Sequence, residues 1–369
     1  MIDNTNEYSR PQPRRTSRQV MVGGVPVGGG APISIQSMTN TRTADYEATL
    51  AQIRLLASEG CQIIRAAVMD TADVGALSKI TADSPLPVIA DIHFDYKLAL
   101  GALESGAAGL RINPGNIGEA WKVREVVRAA KERKIPIRIG VNGGSLEPGL
   151  LEKYGGPTAP ALVESALSHV AILEDLDFFD IKISLKASRV PVMLEAYRAI
   201  AQKVDYPLHL GVTETGPPAR GLVKSAVGLG TLLAEGIGDT IRVSFTGDPV
   251  EEVTAAKQIL ASLELIGGGL QIVACPTCGR TMVDLPAMVA AAEEKFKSLR
   301  LPEGGSLTVA IMGCPVNGPG EAREADFGVA CGKGAGVLFA GGKQLGRMPE
   351  GELIDALYEL VLSSVNADR

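Results

Sequence analysis

Apolar residues recur with two periods between residues 34 and 265. Short β-type runs, SIQSM (34–38), IIRAAV (63–68), PVIADI (87–92), GLRINP (109–114), PIRIGV (136–141), FDIKISL (179–185), PLHLGV (207–212) and TIRVSF (240–245), alternate with stretches whose apolar positions follow helical spacing. The helical stretches include Asp45 to Glu59, Gly118 to Arg133, Pro160 to Asp175, Val190 to Lys203 and Pro249 to Leu263. Strict strand–helix alternation predicts a parallel sheet. Eight such units over roughly 230 residues predict an α/β fold of the TIM (β/α)8 barrel type rather than an open doubly wound sheet.

Side chains two apart in a strand share a face. On that rule one face collects Arg65, Asp91, His93, Arg111, Asn113, Arg138, Asn142, Lys182, Ser184, Lys186, His209, Thr213, Arg242, Ser244 and Thr246, and the other collects Ile64, Ile112, Ile137, Ile139, Ile183, Leu185, Leu208, Leu210, Ile241 and Val243. A barrel strand turns its apolar face to the surrounding helices, so the polar face is predicted to look inward, toward the C-terminal mouth. Any one of these cations reads as an ordinary paired surface charge. Six of them (Arg65, Arg111, Arg138, Lys182, Lys186, Arg242) at equivalent places on five strands repel one another unless something anionic lies between. Guanidinium forks match phosphate oxygens two at a time, which points to a substrate with at least two negative charges, a diphosphate. Asp91, His93, His209 and Glu214 are the acid/base candidates. His169, in the helix-like SALSHVAIL, reads as a core or surface residue and stays outside the predicted site.

After the run Gly267-Gly268-Gly269 a second α/β domain is predicted, giving domains 1–265 and 266–369. It holds the strand LQIVA, a helix from Asp284 to Leu299, the strand SLTVAIM, two further β-type runs and a final helix from about Pro349 to Ser364. Cys275 and Cys278 form a CxxC after one strand, and Cys314 follows the next. Three thiolates can therefore meet at one point. CxxC alone leaves a redox dithiol, zinc and an iron-sulfur cluster open. Closed zinc ligation would most simply take Cys331 as its fourth ligand, since no histidine lies beyond residue 209; a [4Fe-4S] cluster wants three thiolates and a replaceable fourth ligand, for which Glu321 in GCPVNGPGE is placed. The glycines and prolines of that stretch predict a fixed tight loop. The spacing CxxxCxxC of radical enzymes is absent.

The 369 residues suffice for one large domain or two ordinary ones, and 43 glycines imply many tight turns. A net charge of -6 argues against a general nucleic-acid binder. No run approaches the ~20 apolar residues of a membrane helix. The first residues lack the apolar stretch of a signal peptide, and Asp3 and Glu7 disfavour a transit peptide, so the cytoplasm is expected and the five cysteines are expected as thiols or metal ligands. Cys61 and Cys331 read as small apolar core residues.

The segments SRQVMVGGVPVGGGAPISIQSMTNT, LRINPGNIG, IRIGVNGGSL, ISLKAS, HLGVTETG, CPTCGR and GCPVNGPGEA, in this order from about Arg14 onward, together resemble the 4-hydroxy-3-methylbut-2-enyl diphosphate synthase family of the methylerythritol phosphate route, in its bacterial two-domain form. The resemblance implies a barrel binding 2-C-methyl-D-erythritol 2,4-cyclodiphosphate and a small domain with one [4Fe-4S] cluster per chain. It implies reductive ring opening with loss of water, on electrons from flavodoxin or ferredoxin. It further implies Cys275, Cys278, Cys314 and Glu321 as cluster ligands and Arg65, Arg111, Arg138, Lys186 and Ser244 as the diphosphate cradle. Asp91, Asn113, Asn142 and His209 are implied nearby, and Glu214 as proton donor or acceptor. The family implies a homodimer with a shared active site, and the glycine run as hinge. Two readings compete: a phosphate-handling barrel transferase or lyase, such as a pterin-type synthase, with a structural four-cysteine zinc domain, and a barrel carrying a plain electron-carrier module.

Overall fold

A computed structural model describes residues 11–299, 301–302 and 305–367; Asp3 and Glu7, used above to argue against a transit peptide, lie outside the described residues. The chain divides after Leu265 into two compact units.

The first unit opens with an antiparallel hairpin, β1 (Gln19–Val22) and β2 (Val25–Gly28). No helix separates these two strands, so they fall outside the strand–helix alternation from residue 34 onward, and the sequence reading did not contain them. Val20, Val22 and Val27 pack with Ile63 and Ile89, close to the starts of their barrel strands, so the hairpin covers the N-terminal end of the barrel. Its turn at Gly23 has φ +56, and a Cβ there would lie 2.9 Å from Pro87 Cβ, so both conformation and space require glycine.

Eight parallel strands follow: β3 (Ser34–Met38), β4 (Ile63–Ala67), β5 (Val88–Asp91), β6 (Gly109–Arg111), β7 (Ile137–Asn142), β8 (Ile181–Lys186), β9 (His209–Leu210) and β10 (Thr240–Ile241). They run in the order β8-β7-β6-β5-β4-β3-β10-β9, and a bridge from Ile183 to Leu208 closes the ring. The last two predicted runs shrink to two-residue ladders, although Arg242 N still donates to Leu210 O at 2.9 Å. Around the ring lie α1 (Tyr46–Ser58), α2 (Thr71–Asp83), α3 (Tyr96–Glu104), α4 (Ala120–Arg133), α5 (Pro148–Tyr154), α6 (Ala159–Glu174), α7 (Val190–Ala201), α8 (Pro218–Ala234) and α9 (Pro249–Ser262). Asp45, Asp70, Asp95, Thr158 and Asp248 cap helices by accepting from first-turn amides, which fixes where chain leaving the mouth turns back. Ile64, Ile112, Ile139, Ile183, Leu210 and Ile241 are buried, as the parity reading requires of residues facing the helices.

The second unit is a five-stranded sheet, β11 (Gly269–Ala274), β12 (Ser306–Met312), β13 (Phe327–Gly332), β14 (Ala335–Ala340) and β15 (Lys343–Pro349), parallel across the first three and antiparallel beyond. Three strands follow Cys314 where two were expected, since the polar KQLGRMP edge lacks an apolar period. Val309, Ile311 and Val329 face α10 (Leu285–Phe296) and the C-terminal helix, while Ala310, Met312 and Ala330 face α11 (Gly318–Glu324). The C-terminal helix, α12 (Leu353–Ala367), follows a 3-10 turn at Glu350–Glu352 and buries Leu353, Leu357 and Val361, each contributing roughly 1.5–3 kcal/mol. The expected loop around Glu321 is instead α11. Pro319 stands at its first turn, where a missing N–H costs nothing, so the proline starts a helix rather than barring one.

Candidate active site

Adjacent barrel strands are in register at Asp91–Arg111, Arg111–Arg138 and Arg138–Lys182, with Asn142 opposite Lys186. Registered neighbours point the same way, so the sheet itself stacks cations over one another. Arg65, Asp91, His93, Arg111, Arg138, Asn142, Lys186, Thr213 and Arg242 line a cavity of about 110 Å³. The parity reading thus brought nine of its residues to one place.

The five cavity cations and the buried Lys182 face two carboxylates, Asp91 and Glu252. Asp91 Oδ1 lies 3.3 Å from Arg111 Nη1 and its Oδ2 3.4 Å from Arg65 Nε. Burial disfavours the Asp91 charge, but Arg65, Arg111 and Arg138 hold its pKa below the usual carboxylate range. Glu252, on α9, was not foreseen; it lies 3.7 Å from Arg242 Nη2 and accepts from Phe245 N at 3.0 Å, and burial pushes its pKa up. Its signal was weak, because on a helix it reads as a solvated charge.

Arg138, Lys182 and Lys186 have no carboxylate partner among the described residues. Arg138 is 1% exposed and donates Nη1 to Ser184 Oγ at 2.7 Å, while its Nε and Nη2, Lys182 Nζ and both ring nitrogens of His209 have no hydrogen bond among the described residues. Burial, reinforced by neighbouring guanidiniums, pushes Lys186 well below the ordinary lysine value and Lys182 down to about 7. Arg138 is pushed down as well. An arginine does not shed its proton in a protein, so for Arg138 this is electrostatic stress that a bound polyanion relieves. Gln36, 1% exposed and with neither amide atom hydrogen-bonded among the described residues, adds an unforeseen polar group on β3.

The other predicted residues take differing places. Both amide atoms of Asn113 are engaged by the Gly140 backbone, at 3.1 and 2.9 Å, so it braces β6 against β7. Gly140 also makes room for Arg111: a Cβ there would lie 2.6 Å from Arg111 Nε. His93 is half exposed, 3.1 Å from Arg111 Nη1, with a pKa lowered by burial against the pull of Asp91. His209 is fully buried, does not line the cavity, and burial among cations holds its ring neutral. Ser244 donates to Val212 O at 2.9 Å. Glu214 is exposed beside Gly144 with φ +54, a left-handed conformation that non-glycine residues adopt only at a cost. A second pocket, of about 290 Å³, shares His93 and Arg111 with the cavity and is otherwise lined by Phe94, Asn113, Asn116 and residues 145–148.

In the second unit Cys275 and Cys314 follow the ends of the adjacent parallel strands β11 and β12. Gly313 N donates to Cys275 Sγ at 3.3 Å and Met282 N to Gly313 O at 2.9 Å, so the CxxC loop is tied to the strand end carrying Cys314. Amides of Val316, Asn317 and Gly318 lower the pKa of Cys314, and the Arg280 amide and guanidinium lower that of exposed Cys278. Stabilised thiolates are what soft-metal ligation needs. Among the described residues no three His, Cys, Asp or Glu side chains are gathered closely enough to grip one ion. The donor chemistry fits an iron-sulfur cluster, with Cys275, Cys278 and Cys314 on two linked loops and Glu321 exposed one turn into α11. Cys331 belongs to the apolar core packed against Cys275, and burial pushes its thiol up to about 11. Cys61 is likewise buried and pushed up to about 11.

Residues 17–257 match the GcpE TIM-barrel domain and residues 271–363 the GcpE protein C-terminal domain. A protein of Geobacter sulfurreducens named 4-hydroxy-3-methylbut-2-en-1-yl diphosphate synthase (flavodoxin) is 59% identical, over 92% of this chain and 96% of its own. A protein of the same name from Clostridium perfringens is 55% identical, over 94% and 99%. Among solved structures a dihydropteroate synthase of Yersinia pestis aligns at TM-score 0.49 with 11% identity, over 67% of this chain and 98% of its own, a likeness too loose to argue from. The two domains and the near-full-length relatives place the chain in the GcpE family of 4-hydroxy-3-methylbut-2-en-1-yl diphosphate synthases.

Proposed function

We propose that the chain converts 2-C-methyl-D-erythritol 2,4-cyclodiphosphate to 4-hydroxy-3-methylbut-2-enyl diphosphate. A ring C–O bond breaks, a hydroxyl leaves as water, and two electrons and two protons are taken up. The observation that carries this reading is a cavity whose five cations outnumber the two carboxylates, Asp91 and Glu252, that face them, an excess that is costly to maintain unless a polyanion fills the space. Arg65, Arg111, Arg138 and Lys186 hold the diphosphate, Asn142 and Thr213 orient it from the rim, and Asp91 keeps Arg65 and Arg111 aligned. Glu214, at the mouth, moves a proton to or from the carbon skeleton. Cys275, Cys278 and Cys314 would hold the [4Fe-4S] cluster, with Glu321 as the fourth and exchangeable ligand. When bound, that group supplies low-potential electrons one at a time, received from flavodoxin or ferredoxin.

The chain works in the cytoplasm as a homodimer, the cysteine-bearing unit of one copy serving the barrel of another. The barrel unit's one cysteine, Cys61, is buried, which leaves cluster ligation to the second unit. Among the described residues no helix is long and apolar enough to cross a membrane.

Iron, sulfide and zinc content of protein purified without oxygen, followed by turnover with a chemical reductant, tests the proposal. About four iron and four sulfide per chain, with a broad band near roughly 400 nm and product formation, is the expected result. One zinc, no colour and no turnover would overturn it.

A further inference from the structure

Two loops of the barrel mouth are joined from behind by a histidine that this chemistry leaves unused. His169, on α6, is 3% exposed. Its Nδ1 accepts from Gly115 N at 3.2 Å, and its Nε2 lies 3.1 Å from Glu147 Oε1. Since Nδ1 is occupied as an acceptor, the ring proton sits on Nε2 and is donated to Glu147. Burial favours the neutral ring, and a second ring proton would turn two N–H groups against each other at Gly115. Gly115 is required there, because a Cβ would lie 2.8 Å from His169 Cε1.

The two ends of this link are not equivalent. Glu147 has a second anchor, Ser165 Oγ, at 3.0 Å, whereas the Gly115 amide has His169 alone among the described residues. Gly115 stands between Asn113 and Asn116, which line the pocket of about 290 Å³ that adjoins the cationic cavity. We infer that His169 is a positioning residue: its bond to Gly115 fixes the loop after β6 so that this pocket keeps its shape for the uncharged part of the substrate. The inference rests on the cyclic diphosphate reading above.

Asparagine places an amide oxygen near the position of Nδ1, and glutamine places an amide nitrogen near that of Nε2. His169→Asn therefore keeps the Gly115 bond and loses Glu147, while His169→Gln does the reverse. Binding of 2-C-methyl-D-erythritol 2,4-cyclodiphosphate to the cluster-loaded dimer is measured by calorimetry without reductant, and KM and kcat with it. Expected is a rise of about tenfold in Kd and KM for His169→Ala and His169→Gln, with kcat within about threefold and His169→Asn within about twofold of the parent. Equal affinities for the Asn and Gln variants would overturn the inference, since a merely structural role lowers their melting temperatures without separating them. Should the His169 variants fail to fold, Gly115→Ala displaces the ring from the loop side and is expected to give the same KM rise. An unchanged KM there overturns the inference equally. Failure of the parent enzyme to bind the cyclic diphosphate would instead overturn the functional reading itself.

Discussion

The barrel and the cysteine unit assemble their donors in opposite ways. In the barrel Arg65, Asp91, Arg111, Arg138, Lys182 and Lys186 stand on strands, held by register and buried. In the second unit the three thiols and Glu321 lie just beyond strands or on a short helix, with Cys278 and Glu321 exposed. A rigid scaffold suits recognition of a fixed diphosphate, where misplacement is costly. Loop-borne ligands suit a metal group that organises its own donors and exchanges one of them.

The sharpest way to break this comparison removes one member of each set. Cys314→Ser is expected to abolish iron incorporation and turnover while leaving the far-ultraviolet circular dichroism of the barrel intact, whereas Cys331→Ala keeps the full iron content. Loss of iron in both variants would mean that the core thiol is a ligand after all. Arg138→Ala should do the converse, keeping iron and losing substrate. If the site is shared between two copies as proposed, a denatured and reassembled equal mixture of Cys314→Ser and Arg138→Ala chains, each inactive alone, should recover about a quarter of parental activity, because half of the dimers would then carry one intact composite site. No recovery, with mixed dimers confirmed by mass, would place both halves of the site in one chain.

Next in size is Glu214→Gln, expected to lower kcat by roughly 10²- to 10⁴-fold with iron content and substrate affinity retained. Full activity would reduce its left-handed backbone to a feature of the loop alone. Arg111→Ala should weaken substrate binding by roughly 10- to 100-fold through lost charge-assisted hydrogen bonds, read by calorimetry. Unchanged affinity there would mean that the cradle lies elsewhere.

The same contrast explains what the sequence disclosed. Strand parity has a period of two, and a barrel must bury one face, so Arg111, Arg138, Lys182 and Lys186 could be placed on one wall from spacing alone. Parity does not say how deep a residue sits, and so His209, fully buried away from the cavity, could not be told from Arg65 at its wall. Nor does it say whether a polar group is already engaged, as Asn113 is with Gly140. Helix-borne partners escape it entirely: Glu252 and His169 read as ordinary helix residues, because nothing local shows which strand end they meet. In the second unit the CxxC was conspicuous, but Pro319 read as a loop former, since one proline is compatible with a turn and with a helix start alike.

The smallest expected effect tests whether the barrel is strained by its own charges. Lys182 Nζ has no hydrogen-bond partner among the described residues, and burial beside Arg138 brings its pKa down to about 7. In the unfolded chain the same group titrates near ~10.4. Between those values the unfolded state holds more protons, so the penalty from Lys182 is fully present below pH 7 and fades as pH rises toward ~10.4. Lys182→Met, close in length and without charge, should therefore raise the melting temperature of ligand-free protein at pH 6, and the gain should shrink at pH 9. A gain independent of pH would assign it to packing, and a loss at pH 6 would show that Lys182 has a stabilising partner. Either result would mean that the barrel interior is less preorganised for an anion than its unpaired cations indicate.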